Sequence, residues 1–187
     1  MFIQTEATPN PATLKFLPGR SVMASGTADF TNVEDAAPSP LAQRIFAVEG
    51  VEGVFLGPDF ISVAKGDAVD WPHIKPAILG AVMEHFTSGQ PVMADSAQTD
   101  SGHAEHDGPH GAIVTQIKDL LDTRVRPAVA QDGGDITFHG FEEGIVYLSM
   151  RGACAGCPSS TMTLKMGIEN LLRHYIPDVL EVRPVPT

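Results

Sequence analysis

The sequence predicts an α+β protein built from two small mixed domains joined by a flexible linker. Three observations predict it. Apolar residues recur with period 2 in some segments and near 3.6 in others, in both halves of the chain. A stretch between Gly89 and Gly111 has almost no large apolar residue and no period. The 187 residues are 43% hydrophobic and 19% charged, enough apolar material for a core on each side of that break. The expected boundaries are 1–89 for the first domain, 90–111 for the linker and 112–187 for the second domain.

The first domain opens with Met1–Glu6 as a strand, a turn at Thr8-Pro9-Asn10-Pro11, and a partner strand in which Leu14 and Phe16 alternate with Thr13 and Lys15. Ser39-Pro40 starts a short helix bearing Leu41, Ile45 and Phe46, and Gly50 stops it. Val54–Leu56 and Phe60–Val63 flank Gly57-Pro58-Asp59 as a hairpin. Asp70-Trp71-Pro72 starts a second helix with Ile74, Ile78, Val82 and His85 on one side. Pro76 is a difficulty, since it lies past the first turn, the part of a helix that tolerates proline, and a later start is the alternative it leaves open. Trp71 reads as a core or helix-entry residue.

The second domain reads α-β-β-α-β. Ile113, Ile117, Leu120 and Leu121 follow helical spacing, with Arg124 a polar exception near the end. Asp132-Gly133-Gly134-Asp135 is a turn, since glycine permits positive φ. Ile136, Phe138 and Gly140 alternate with Thr137, His139 and Phe141, and Glu142-Glu143-Gly144 turns the chain into the return strand Ile145–Met150. Leu164, Ile168, Leu171, Leu172 and Tyr175 form a helical stripe ended by Pro177, and Val179, Leu180 and Val182 suggest a last strand.

The formal net charge is −11, divided as −5 over 1–90, −4 over 91–111 and −2 over 112–187. No basic stripe accompanies it, which argues against nucleic acid as a partner. No apolar run approaches the ~18–20 residues of a membrane span. The linker histidines His103, His106 and His110 read as solvated residues of a polar tract; weak metal binding is the competing reading. Met1–Glu6 lacks the features of a secretory signal or an organelle leader, so a cytoplasmic bacterial protein is expected. A processed eukaryotic form would look the same, which makes the mitochondrial matrix the second expectation.

The chain has two cysteines, Cys154 and Cys157, in Arg151-Gly152-Ala153-Cys154-Ala155-Gly156-Cys157-Pro158-Ser159-Ser160. A pair three positions apart is no disulfide framework and fits a reducing compartment. The segment lies between a strand and a helix. Ala155 and Gly156 leave both thiols free to turn to one side, and Cys157, next to the helix start, is placed where the helix dipole favours thiolate. Two cysteines are half the ligands of a tetrahedral zinc site or of a cluster held by cysteine alone. A second chain must supply the rest, or the pair is a dithiol redox couple. The motif by itself leaves both open.

Gln131-Asp132-Gly133-Gly134-Asp135-Ile136, the hairpin, and Met150 through Ser160 resemble the C-terminal domain of NifU-like proteins. Ile3 through Pro11 with Leu14-Lys15-Phe16 resembles the amino-terminal domain of Nfu-type scaffolds. The resemblance implies an iron–sulfur cluster scaffold or carrier rather than an enzyme. It would hold a [4Fe–4S] cluster between two chains, through Cys154 and Cys157 of each, as a homodimer when loaded. It would receive the cluster from upstream assembly proteins and pass it to apo iron–sulfur proteins. The alternative from the enzyme class is a dithiol–disulfide oxidoreductase. The sequence argument against that alternative is that the strand before the cysteines belongs to a hairpin and not to a β-α-β unit. Asp132 and Asp135 read as turn residues, Arg151 as a strand-end charge, and His139 as a packed or surface residue. Met150, Met162 and Met166 read as packing.

Overall fold

The computed structural model describes residues 1–94, 108, 110–155 and 158–185. The chain is α+β and divides into two units, Met1–Ser101 and Gly102–Thr187. Most of the segment expected as a linker, residues 95–107 and 109, lies outside the described residues.

In the first unit β1 (Gln4–Ala7) runs antiparallel to β2 (Thr13–Leu17), and the turn between them is closed by the Ala12 N–H donating to Asn10 Oδ1 at 3.0 Å. β4 (Val51–Leu56) and β5 (Ile61–Lys65) form the expected hairpin. With β3 at Ala28–Phe30, the sheet order is β1-β2-β5-β4-β3, antiparallel throughout. β3 was not anticipated, because three residues are too few to display a period. Phe16, Val54, Leu56, Ile61 and Val63 face Leu41 and Ile45 of α1 (Pro40–Phe46) and Ile74, Ile78 and Val82 of α2 (Trp71–Ser88). Ser39 caps α1 by accepting the Ala42 N–H at 3.1 Å.

α2 begins at Trp71, as Asp70-Trp71-Pro72 predicts, and continues through Pro76 without a later start. Proline there removes only the bond to the Pro72 carbonyl, and both prolines are exposed, where water can serve that oxygen. The Trp71 indole donates to the Pro11 carbonyl at 3.1 Å, tying helix entry to the β1–β2 turn. Residues 90–94 are not free linker: the Ser39 hydroxyl donates to the Val92 carbonyl at 2.7 Å, and the Ala94 N–H to Pro38 at 2.8 Å.

In the second unit α3 (Gly111–Leu120) and α4 (Arg126–Gln131) are joined by one wide π turn, Leu121–Val125. Val114, Ile117, Leu121, Val125 and Val129 form the buried stripe of this run. His110, expected in the linker, sits at the start of α3 with its ring edge-on to Phe141. β6 (Gly134–Glu142) and β7 (Ile145–Gly152) pair antiparallel, but the register shifts between Phe138 and Gly140. The bulge at His139 turns that residue outward and buries Phe141 in place of Gly140, which corrects the uninterrupted alternation read from sequence. α5 (Pro158–Tyr175) follows, packing Ile168 and Leu172 into the core. Tyr175 is exposed and Ile176 takes the buried place expected for it. β8 (Glu181–Val185) then joins β7 in parallel, with Ile145 opposite Glu181 and Leu148 opposite Pro184.

Candidate metal centre

The site is built at the end of β7. Three hydrogen bonds fix the turn that follows the strand. Gly152 adopts φ 64°, and its carbonyl accepts the Ala155 N–H at 3.1 Å. The Ala153 N–H reaches across to the Gly133 carbonyl at 3.1 Å, and Gly133 itself sits at φ 80° where α4 ends. The Thr161 hydroxyl, in the first turns of α5, donates to the Cys154 carbonyl at 3.0 Å. The Cys154 backbone is thereby held from the sheet on one side and from α5 on the other.

Gly134 explains where the sulfur rests. A β-carbon on Gly134 would lie 2.5 Å from Cys154 Sγ and 2.8 Å from the Arg151 carbonyl. The thiol therefore packs directly over the bare α-carbon of the first residue of β6. Cys154 is a free thiol only 7% exposed, in the same buried cluster as Ile136, Met150 and Ile168. Burial pushes it up to about 12, and the carboxylates of Asp132 and then Asp135 add to the rise. The thiolate preference predicted for the helix start concerned Cys157, which lies outside the described residues. At Cys154 the field runs the other way.

Asp132 keeps its expected place beside Gly133 at the end of α4, but Asp135 is more than a turn residue. It is buried in β6 and accepts two bonds of 2.9 Å from Arg126. Arg126 also donates to Asp122 at 3.0 Å. Arg126 and Thr161 were not singled out from sequence. The i, i+4 spacing of Asp122 and Arg126 is a signal for the first; the bond from Thr161 has none. Arg151 is half-buried and opposite Asp135 in the β6–β7 register. Among the described residues no group of three or more His, Cys, Asp or Glu side chains is gathered to hold a metal ion. His139 and His110 are exposed, while His103 and His106 lie outside the described residues.

The parallel pairing of β7 with β8 overturns one expectation. The cysteine turn does lie inside a β-α-β unit, β7-α5-β8, so the topology does not separate a cluster carrier from a dithiol oxidoreductase. The state of Cys154 separates them better. A redox nucleophile wants an exposed thiol; this one is 7% exposed.

Two family models match the chain in the order of its units: the Nfu/NifU scaffold N-terminal model over residues 3–89 and the NifU-like domain over residues 117–183. The chain belongs to the Nfu/NifU family. Relatives in that family include NifU-like protein 4, mitochondrial, of Arabidopsis thaliana, 53% identical over 96% of this chain and 64% of its own length. The NFU1 iron-sulfur cluster scaffold homolog, mitochondrial, of Homo sapiens is 48% identical over 99% of this chain and 72% of its own. That of Drosophila sechellia is 50% identical over 99% and 65%. The chain thus spans about two thirds of the length of these Nfu/NifU relatives.

Proposed function

We propose that the protein is an iron–sulfur cluster carrier that holds a [4Fe–4S] cluster between two copies of the chain and delivers it to apo-proteins. The observation that carries the reading is the Cys154 turn: a cysteine whose backbone is held from both sides by hydrogen bonds, in a NifU-like domain, within a Cys-x-x-Cys that is the chain's full complement of cysteine. Cys154 and Cys157 are the ligands in this reading. Thiolate sulfur is the right donor for a cluster, and two donors per chain make four across a dimer. The names of the human and Drosophila relatives as iron–sulfur cluster scaffolds support the cargo. The cluster is what the protein carries, so no substrate is turned over. The mitochondrial names of the relatives favour the matrix over a bacterial cytoplasm as its compartment.

Cys154 is a thiol in the free chain, so loading must displace its proton; the positive charge of iron supplies the drive, and burial limits exchange with water. The test is anaerobic reconstitution with iron and sulfide counted per chain. Mass in solution is measured before and after loading. One cluster per two chains in a dimer is expected, and Cys154→Ala or Cys157→Ala should each remove it, because each variant deletes two of four ligands from a twofold site. A metal-free protein that cycles between dithiol and disulfide would replace this reading with the oxidoreductase.

A further inference from the structure

Met162 and Met166 break the pattern of the second unit. They are 66% and 60% exposed, one turn apart on α5, while Leu164, Ile168, Leu171 and Leu172 of the same helix turn inward. Thr163, Gly167 and Asn170 share the outer side with them by helical spacing, and all three are exposed. A β-carbon at Gly167 would meet nothing within 4 Å. From Met162 to Asn170 this outer stripe carries no charge, and the exposed Arg173 follows on the same line. The two ionisable groups on these turns lean toward β8: Lys165 pairs with Glu181 at 3.7 Å, and Glu169 accepts the Val182 N–H at 3.2 Å.

We infer that the Met162–Met166 stripe of α5 is a contact surface for a second copy of this chain, which rests on the bridging reading above. Two arguments select that occupant. The first is ligand arithmetic. Each chain has two cysteines, so a four-thiolate cluster draws the cysteine turn of a second copy against this one. α5 starts at Pro158, directly after that turn. Met162 and Met166 follow about 6 and 12 Å further along the axis, close enough for a long thioether to reach across. A twofold axis through the cluster sets the same stripe on both partners, and an isologous contact needs a self-complementary surface. An uncharged stripe with adaptable methionines is one.

Charge selects the same occupant. The chain carries −11, so most pairings of two copies oppose like charges. The α5 stripe is a face on which two copies can meet without opposing carboxylates. The cluster then closes the junction at one end and the methionines extend it along the helices. The contact is small, so it holds only when the cluster is present and releases when the cargo leaves.

The experiment compares the full-length protein with Met162→Gln/Met166→Gln and Met162→Leu/Met166→Leu after anaerobic loading. It reads iron per chain, mass in solution across a dilution series, and the rate at which a chelator strips iron. The residues are exposed, so both variants fold as the parent does by circular dichroism. The Gln pair should bind the same iron at high protein concentration. Its dimer should come apart at about tenfold higher concentration than the parent's, with iron lost correspondingly faster. The Leu pair should behave as the parent. A Gln pair whose dimer and iron release match the parent overturns the contact while leaving the bridging cluster standing. A parent protein that takes up a full cluster as a monomer, or takes up none, overturns the bridging reading itself, and the stripe's occupant with it.

Discussion

The Arg126 guanidinium meets the Asp135 carboxylate through two parallel bonds, Nε to Oδ1 and Nη2 to Oδ2, both 2.9 Å. The fork fastens the last helix before the sheet to the second residue of β6, next to the glycine that seats Cys154. Asp135 Oδ1 also accepts the Ile136 N–H at 2.8 Å, which locks the carboxylate in place. Arg126→Ala leaves that carboxylate buried without its main cation and should cost the second unit about 3 kcal/mol. Arg126→Lys should recover part of this, since an ammonium restores charge but not the fork. Urea unfolding of the second unit checks both; equal stability of Arg126→Ala and the parent would show the pair to be idle.

Gly134→Ala places a methyl where the Cys154 sulfur and the Arg151 carbonyl already lie. One side is backbone and cannot retreat, so the variant should lose about 1–3 kcal/mol and load its cluster poorly. Gly140→Ala is the control, because a β-carbon there meets nothing closer than 3.9 Å, on the Tyr147 ring. If the two alanine variants load and unfold alike, the sulfur does not depend on the bare α-carbon.

His85 should make the first unit sensitive to acid. It is completely buried, and neither ring nitrogen makes a hydrogen bond. Burial lowers its pKa below 6.5, and Arg44 adds to this against an opposing pull from the Gln90 backbone. Arg44 is itself held by Glu84 at 3.0 Å. Above the unfolded value of 6.5 both states are neutral at this residue and nothing is lost. As the pH falls below it, the unfolded chain takes a proton that the folded one refuses, so stability declines. Urea midpoints for the first unit at pH 7.5 and 5.5 should differ, and His85→Leu should narrow the difference.

The Cys154 thiol should resist alkylation. In a Cys157→Ser background, iodoacetamide should modify native protein at pH 8 at least about a hundredfold more slowly than urea-unfolded protein, because both thiolate fraction and access are reduced. The raised pKa also has a stability sign. The protonated thiol is compatible with folding below its ordinary value of 9.0, and stability is lost as pH climbs from there toward about 12. Asp132→Asn should speed the reaction by removing the larger of the two carboxylate contributions.

The hairpins and both long helices were legible because each depends on local rules: turn residues, capping and short-range period. What the sequence concealed was pairing at a distance. Nothing in Glu181–Val185 says whether it lies beside β6 or β7, or in which direction, so the β-α-β unit went unread. The bulge at His139 hid for a related reason, since alternation reads the same until a partner strand fixes the register. Methionine is apolar, so Met162 and Met166 read as packing; only the built helix turns them outward. Asp135 resembled a turn residue because its cation lies nine positions away, on another element.

The parallel strand also orders events during folding. The β6–β7 hairpin closes between Glu142 and Ile145, three positions apart, whereas β7 meets β8 only when Ile145 finds Glu181, across 36 positions and a helix. Local closure precedes distant closure, since the longer loop loses more chain entropy before any contact repays it. A chain leaving the ribosome therefore has its cysteine turn made before the last strand exists to complete the sheet beside it. In that interval the Ile145–Ser149 edge of β7 has no partner, and an open strand edge invites pairing with other chains, so speed in finding the final strand guards against misassembly.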